Sequence, residues 1–180
     1  DKANKEDKKI RIQTPKCSLP FGLNKNQYED NAEISLSLDL NLVGNTPAMT
    51  KFKGFLEEFD ERNISMACTN SYKWFNKRID KNIVQSLYKK QLNKTSNYPE
   101  RLRVKLNTKD GLFTGDVFDT YSNPTNIDKI TKGTYVQAIL ECSGLWFSPS
   151  QGFGVGWKVI QLMIFPSKIL GEFAFQDDEE

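Results

Sequence analysis

The run Tyr135–Phe165, Tyr-Val-Gln-Ala-Ile-Leu-Glu-Cys-Ser-Gly-Leu-Trp-Phe-Ser-Pro-Ser-Gln-Gly-Phe-Gly-Val-Gly-Trp-Lys-Val-Ile-Gln-Leu-Met-Ile-Phe, contains two strand-like arms joined by a connection rich in aromatics and glycines. In the first arm Tyr135, Gln137, Ile139 and Glu141 alternate with Val136, Ala138, Leu140 and Cys142, the period of two that marks a sheet strand. In the second, Lys158, Ile160, Leu162 and Ile164 fall on one side of the pleat, and Trp157, Val159, Gln161, Met163 and Phe165 on the other. Together they predict a long hairpin. Between the arms Gly152, Gly154 and Gly156 alternate with Phe153, Val155 and Trp157, so one face is open backbone and the other carries large flat side chains. Such a surface suits something planar.

Trp146, Phe147, Phe153 and Trp157 have two uses. They can fill a sheet core, as aromatics commonly do, or serve as platforms on which nucleic-acid bases stack. The segment Gly144–Gly154, with Pro149 and Gly152 in a turn, favours the second use, since loops run over the surface. The stacking expectation therefore falls first on the loop aromatics Trp146, Phe147 and Phe153.

Outward from the hairpin, Glu33–Val43 reads as a strand with Ile34, Leu36, Leu38, Leu40 and Leu42 facing a core and Ser35, Ser37, Asp39 and Asn41 facing water. Gly44-Asn45-Thr46-Pro47 closes it and opens a helix, with Thr46 as N-cap and Pro47 first in the helix. Met49, Phe52, Leu56 and Phe59 recur at helical spacing, and Glu57, Glu58, Asp60 and Glu61 read as a solvated face rather than a catalytic cluster. Helix continues through Ser71–Phe75, and a further helix is expected over Asp80–Leu92. From Tyr72 onward the chain turns basic, with Lys73, Lys77, Arg78, Lys81, Lys89, Lys90 and Lys94 opposed in that span by Asp80.

In Arg101–Leu106, Leu102, Val104 and Leu106 face inward and leave Arg101, Arg103 and Lys105 as a cationic ladder on the other face. A polyanion would offset their repulsion; Glu141 or Asp116 on neighbouring strands would also do so. Lys109-Asp110-Gly111 predicts a hairpin turn, with Leu112–Phe118 returning as the paired strand. Lys16–Asn31 crosses the surface, with Phe21 either tucked in or presented. A 1–15 lead-in, a folded domain over 16–170 and an acidic tail over 171–180 complete the organisation, although a short strand can begin near Ile10 and Ile12. The chain starts at Asp1, so a trimmed or partial sequence is expected.

Composition removes several classes of chemistry. The 180 residues contain no histidine, which excludes Ser-His and Cys-His nucleophiles, histidine metal ligands and histidine acid-base catalysis. Cys17, Cys68 and Cys142 are odd in number and widely spaced, which argues against a disulfide framework or a zinc site and for a reducing, intracellular compartment. No apolar run is long enough to cross a bilayer. The formal net charge of +2 conceals a separated distribution of basic and acidic segments.

One long strand, a helical insertion and two hairpins make a mainly β meander compatible with a five-stranded OB-fold barrel with inserted α-helices. The order of strand, helical insertion, basic hairpin Arg101–Phe118, then Tyr-Val-Gln-Ala-Ile-Leu, Trp146, glycines and Trp-Lys-Val-Ile-Gln-Leu resembles the single-stranded DNA-binding proteins of the phage T7 type. It is closer still to their relatives in large nucleocytoplasmic DNA viruses. That resemblance implies an OB fold that coats single-stranded DNA in viral replication and recombination, at replication sites in host cytoplasm or nucleus, with an acidic tail contacting replication proteins. The family tail ends in an aromatic residue and this chain ends Glu179-Glu180, which puts the tail function in doubt. Only Trp146 carries over from the family as a base contact.

The leading expectation is a non-enzymatic, sequence-independent single-stranded DNA-binding protein. Lys73, Lys77, Arg78, Arg101, Arg103, Lys105 and Lys158 would neutralise phosphates, and Trp146, Phe147, Phe153 and Trp157, with Tyr72 and Trp74, would stack on bases. Lys158 and Trp157 point oppositely unless a bulge intervenes. The alternative is a protein-interaction or scaffold module using the aromatic loop as a hot spot. RNA binding needs the same surface. No cofactor, metal or membrane partner is expected, and a homodimer is left open.

Overall fold

The computed structural model describes residues 9–26, 34–95 and 98–165. In chain order its elements are β1 Arg11–Gln13, β2 Cys17–Ser18, β3 Leu23–Asn26, β4 Ser35–Asn41, α1 Pro47–Thr69, α2 Ser71–Phe75, α3 Lys81–Leu87, β5 Tyr88–Lys89, β6 Leu92–Thr95, β7 Tyr98–Leu106, β8 Thr108–Lys109, β9 Leu112–Phe113, β10 Asp116–Phe118, a 3-10 turn Ile127–Lys129, β11 Tyr135–Ser148 and β12 Gly152–Phe165. β11 and β12 form the expected hairpin, antiparallel from Tyr135↔Phe165 to Ser148↔Gly152. Together with β2, β4 and β7 they close a ring in the order β11-β2-β4-β7-β12, antiparallel at every join except β7 with β12. This is the five-stranded OB barrel the sequence predicts.

β12 is the hub of the ring. β11 occupies one of its edges along nearly the whole length, so the other edge takes three short parallel partners in turn: β5 at Phe153–Gly154, β7 at Lys158–Val159 and β10 at Gln161–Met163. The barrel interior is filled by the leucines of β4, by Leu102, Val104 and Leu106, by Val136, Ala138 and Leu140, and by Trp157, Val159, Leu162 and Ile164. Met49, Phe52 and Leu56 of α1 join that core. Thr46 caps α1 as expected, its hydroxyl accepting from Met49 N–H at 3.2 Å, with Pro47 first in the helix. A second cluster of Ile64, Ala67, Val84, Tyr88 and Phe153 ties the helices to the far end of the hairpin.

Several expectations are corrected. Ile139 pairs with Gln161 but Leu140 with Val159, so Ile160 is an extra residue, and the bulge turns Leu162 and Ile164 to the same side as Trp157 and Val159. Leu112–Phe118 does not return along Arg101–Leu106. The turn at Asp110 (φ 54°) and Gly111 (φ 76°) closes only the small β8–β9 ladder. Gly115 then lies against the Phe113 ring and the Ile160 carbonyl with no room for a Cβ, and β10 runs beside β12 instead. β7 pairs along its inner length with β4, from Leu36↔Leu106 to Asn41↔Arg101. α3 stops at Leu87 because Tyr88–Lys89 pairs with β12.

Part of the expected 1–15 lead-in belongs to the barrel: Ile12 packs on the core and Thr14 is buried. The polar face of β4 is not wet either, since Ser37 and Asp39 are buried. Residues 1–8 and the acidic tail lie outside the described residues.

Candidate nucleic-acid interface

Alternation along β4 and β7 puts Ser37, Asp39, Asn41, Arg101, Arg103 and Lys105 on the outer face of the barrel. The cationic ladder is offset by Asp39, not by Glu141 or Asp116. Arg103 donates to both Asp39 oxygens at 2.9 Å, and Asn24 Nδ2 donates to Oδ2 at 3.1 Å. Glu141 instead accepts from Lys9 and Arg11, each at 2.9 Å, and these bonds hold its carboxyl below the usual carboxylate range. Asp116 accepts from Gln161.

A lateral row crosses the same face. Ser37 pairs with Lys105, Lys105 with Lys158 across the parallel join, and Lys158 with Glu141. Gly154 and Gly156 share the side of Lys158, opposite Trp146 and Gly144 on β11. The glycine face of the hairpin thus looks outward, as its composition suggests. Trp146 is the large side chain on it, 36% exposed, with its ring laid against Gly154; a Cβ there would sit 3.0 Å from ring carbon Cζ2. The parallel pairing of Lys105 with Lys158 therefore brings Trp146, Lys158, Lys105, Arg103 and Arg101 onto one outer surface.

Phe147, Phe153 and Trp157 face the other side of the hairpin. Phe147 stacks on its cross-strand partner Phe153 with ring centroids 5.5 Å apart and planes 7° from parallel. Trp74 and Phe75 of α2 meet Phe147 edge-on at 6.1 and 5.8 Å. Phe147 keeps 51% of its surface exposed, whereas Phe153 keeps 1% because Phe75 and Tyr88 also close around it. Tyr72, Lys73, Lys77 and Arg78 are exposed on α2 and just beyond it, and Trp74 is half-buried.

Phe153 and Trp157 are therefore core residues rather than stacking platforms. Trp157 is 2% exposed, faces inward opposite to Lys158 as alternation requires, and donates its indole N–H to Gln91 Oε1. Gln91 belongs to a buried network around Asp60, which accepts from Tyr88 Oη at 2.6 Å, Gln91 N at 3.0 Å and Gln91 Nε2 at 2.7 Å. Asp60 thus leaves the solvated face predicted for it. Burial, reinforced by the bond to Asp60, pushes the Tyr88 phenol far above its ordinary pKa. Trp146 and Phe147 are also not in a loop: β11 runs to Ser148 and the turn is confined to Pro149–Gln151.

Two further aromatics join the outer face. The Arg101 guanidinium lies 5.2 Å from the Phe21 ring centroid and 5.3 Å from that of Tyr98, and both rings are exposed. Phe21 is thus presented, not tucked in. Tyr98 escapes sequence reading because a register shift between Asn93↔Arg101 and Thr95↔Tyr98 interrupts the alternation that places Leu102 inside. Phe21 belongs to the connection between β2 and β4, and the face of strands two and three with that connection is the surface on which OB folds take oligonucleotides. Among the described residues no group of three His, Cys, Asp or Glu is placed to hold a metal ion, and no helix is long and apolar enough to cross a membrane.

The expected likeness to the T7 type is found in the fold. gp2.5, a single-stranded DNA-binding protein encoded by bacteriophage T7, superposes with a TM-score of 0.61 over 94% of this chain and 97% of its own, at 10% identity. The single-stranded DNA-binding protein from bacteriophage Enc34, solved in complex with single-stranded DNA, gives 0.53 over 94% and 88%, at 12% identity. In sequence, Uncharacterized protein L291 of Acanthamoeba polyphaga mimivirus is 28% identical over 175 residues, 94% of this chain, which spans 28% of that relative's length. The profile of a family of unknown function, DUF5871, matches residues 32–177, taking in four of the five ring strands and all three helices, and the chain belongs to that family.

Proposed function

We propose that this protein is a non-enzymatic single-stranded DNA-binding protein that holds the strand across the outer face of the barrel. The observation that carries this reading is the gathering of Arg101, Arg103, Lys105 and Lys158 on one face with the exposed rings of Phe21, Tyr98 and Trp146. The cations neutralise phosphates, which gives salt-sensitive affinity without regard to sequence. The rings stack on bases, and since every base has a π-face stacking alone selects little. The folds of two phage single-stranded DNA-binding proteins and the mimivirus relative support a role in coating DNA during viral replication and recombination inside the host cell. Contact with replication proteins through the acidic tail over 171–180 is part of the same proposal.

One observation favours a second reading, a protein-interaction module. Phe147, half exposed, and Trp74 meet edge-on as an aromatic surface on the opposite side of the hairpin. Tryptophan fluorescence during titration with oligo-dT of about 30 nucleotides, at low and high salt and against the matching duplex, separates the two. Quenching with tight, salt-sensitive binding to the single strand is expected. Unchanged fluorescence and no binding by folded protein would refute the DNA reading in favour of the second.

A further inference from the structure

The outer surface of the barrel does not end at Arg101. Cross-strand pairing carries one row onward from it through Asn41, Ser18 and Tyr135 to Phe165. Asn41 Nδ2 donates to Ser18 Oγ at 3.4 Å, so these two side chains share the outer face, and Tyr135 follows as the partner of Ser18. At the far end of the row stands a second group of the kind found around Arg101. Lys16 Nζ lies 4.0 Å from the Phe165 ring centroid and 5.3 Å from that of Tyr135, as the Arg101 guanidinium lies over Phe21 and Tyr98. Tyr135 is 50% exposed with the Lys16 ammonium in place, so a base can reach the ring without displacing the lysine. Another cation stands between the two groups. Lys132 is exposed in the turn that leads into β11, and that turn packs on the Phe21 connection so closely that a Cβ on Gly22 would lie 3.0 Å from the Thr131 carbonyl carbon and 3.1 Å from Lys132 N.

We infer that Lys16, Lys132, Tyr135 and Phe165 form a second station on the path of the bound single strand, an inference that rests on the single-stranded DNA reading above. The exposed Tyr135 ring takes a base, and Lys16 and Lys132 take phosphates on either side of it. Three strand joins separate Arg101 from Tyr135, about 14 Å around the barrel, and the residues between them in the row, Asn41 and Ser18, carry no charge to oppose a phosphate. Tyr135 opens β11 and Trp146 lies near its far end, so the two rings mark opposite ends of the hairpin. A strand seated on Trp146 and the row of Lys158, Lys105 and Arg101 reaches Tyr135 only by continuing past Phe21. The second station therefore lengthens the footprint: a short strand is held without it, and only a longer one engages both.

The test is a length series of oligo-dT, from about 4 to about 16 nucleotides, the range that single OB folds cover, read by fluorescence anisotropy at one salt concentration. Wild-type affinity is expected to keep rising to the longest oligonucleotide. Tyr135→Ala is expected to match the wild type on the shortest ones, level off earlier and bind the longest at least about fivefold more weakly, the low end of what one base stack supplies. Tyr135→Phe, which keeps the ring, follows the wild type. Lys16→Ala, altered at an exposed position, shows the same divergence with length as Tyr135→Ala and stands in for it should that variant fail to fold. Folded variants that match the wild type at every length would overturn the second station while leaving the DNA reading standing. So would a loss equal at all lengths, since a station beyond Arg101 matters only to strands that reach it. Binding at no length by folded wild-type protein would remove the DNA reading itself.

Discussion

Replacing Lys105 and Lys158 together with alanine tests where the phosphates run. The two lysines are cross-strand neighbours on the outer face, and with Arg101 and Arg103 they supply four cations to one surface. At about −0.7 per phosphate contact on a single strand, three to four contacts give a slope of log affinity against log salt of about −2 to −3, Arg103 counting least because Asp39 engages it. Raising salt from about 50 to about 200 mM then weakens the wild type roughly 20- to 50-fold, and the double variant only about 3- to 7-fold. Relieving the repulsion between two adjacent lysines leaves thermal stability unchanged or slightly higher. The assay is a titration of oligo-dT at three or more salt concentrations, with Lys73→Ala/Lys77→Ala/Arg78→Ala as the counterpart on the other side of the hairpin. A slope unchanged in the first variant and halved in the second would place the strand over α2 and refute the outer-face path.

Trp146→Ala is expected to weaken oligo-dT binding by about 1–3 kcal/mol through loss of a stack, whereas Phe147→Ala, packed on Phe153 and α2, leaves affinity unaltered; the reverse pattern would move the stacking site to the helical side. Asp60→Ala leaves Tyr88 Oη–H and two Gln91 N–H groups facing a void and should cost at least about 3 kcal/mol in urea unfolding, so a loss below about 1 kcal/mol would contradict the network. Glu141 has its folded-state pKa lowered by Lys9 and Arg11, so its contribution is present above its unfolded value and is lost as pH falls through the folded one. Melts of the wild type and Glu141→Gln should therefore differ most near neutrality and converge as pH drops below the ordinary carboxylate value of about 4.3; a gap that widens in acid would reverse the assignment.

The parts of the fold legible in the sequence are those whose signal is contiguous. The leucine alternation of β4, the Thr46-Pro47 start of α1 and the two arms of the hairpin each carry their evidence within a dozen residues. What escaped depends on partners far away in the chain. Asp60 reads as one more acid on a charged helix because the groups that bury it, Tyr88 and Gln91, lie 28 and 31 residues further on. The parallel strips along β12 have no local signature, and a one-residue bulge at Ile160 or beside Tyr98 exchanges the faces of a strand without altering its composition. For the site, alternation correctly separated Lys158 from Trp157 and Gly154 from Phe153. It does not say which side the helices cover, so Phe153 and Trp157, expected to stack on bases, pack against Phe75 and Phe59 of the helices instead.

That side follows from what each face must accomplish once the hairpin reaches beyond the barrel. A two-stranded ribbon is marginal alone, so one face must be packed, and Phe153, stacked under Phe147 and closed by Phe75 and Tyr88, does the packing. The opposite face is then free of that duty. Gly144, Gly154 and Gly156 occupy it without side chains, and Trp146 is seated on one of them. A larger residue at position 154 would lift the indole from the backbone, with ring carbons 3.0 and 3.2 Å from a Cβ placed there and the Lys89 carbonyl oxygen at 3.0 Å. On the proposed DNA reading, a ring held this way would lose less rotamer freedom on stacking with a base than one swinging from a loop, and would contribute correspondingly more affinity. The glycines and the tryptophan are in this sense one device: the glycines make a seat, and the seat pre-orders the ring above the row of lysines.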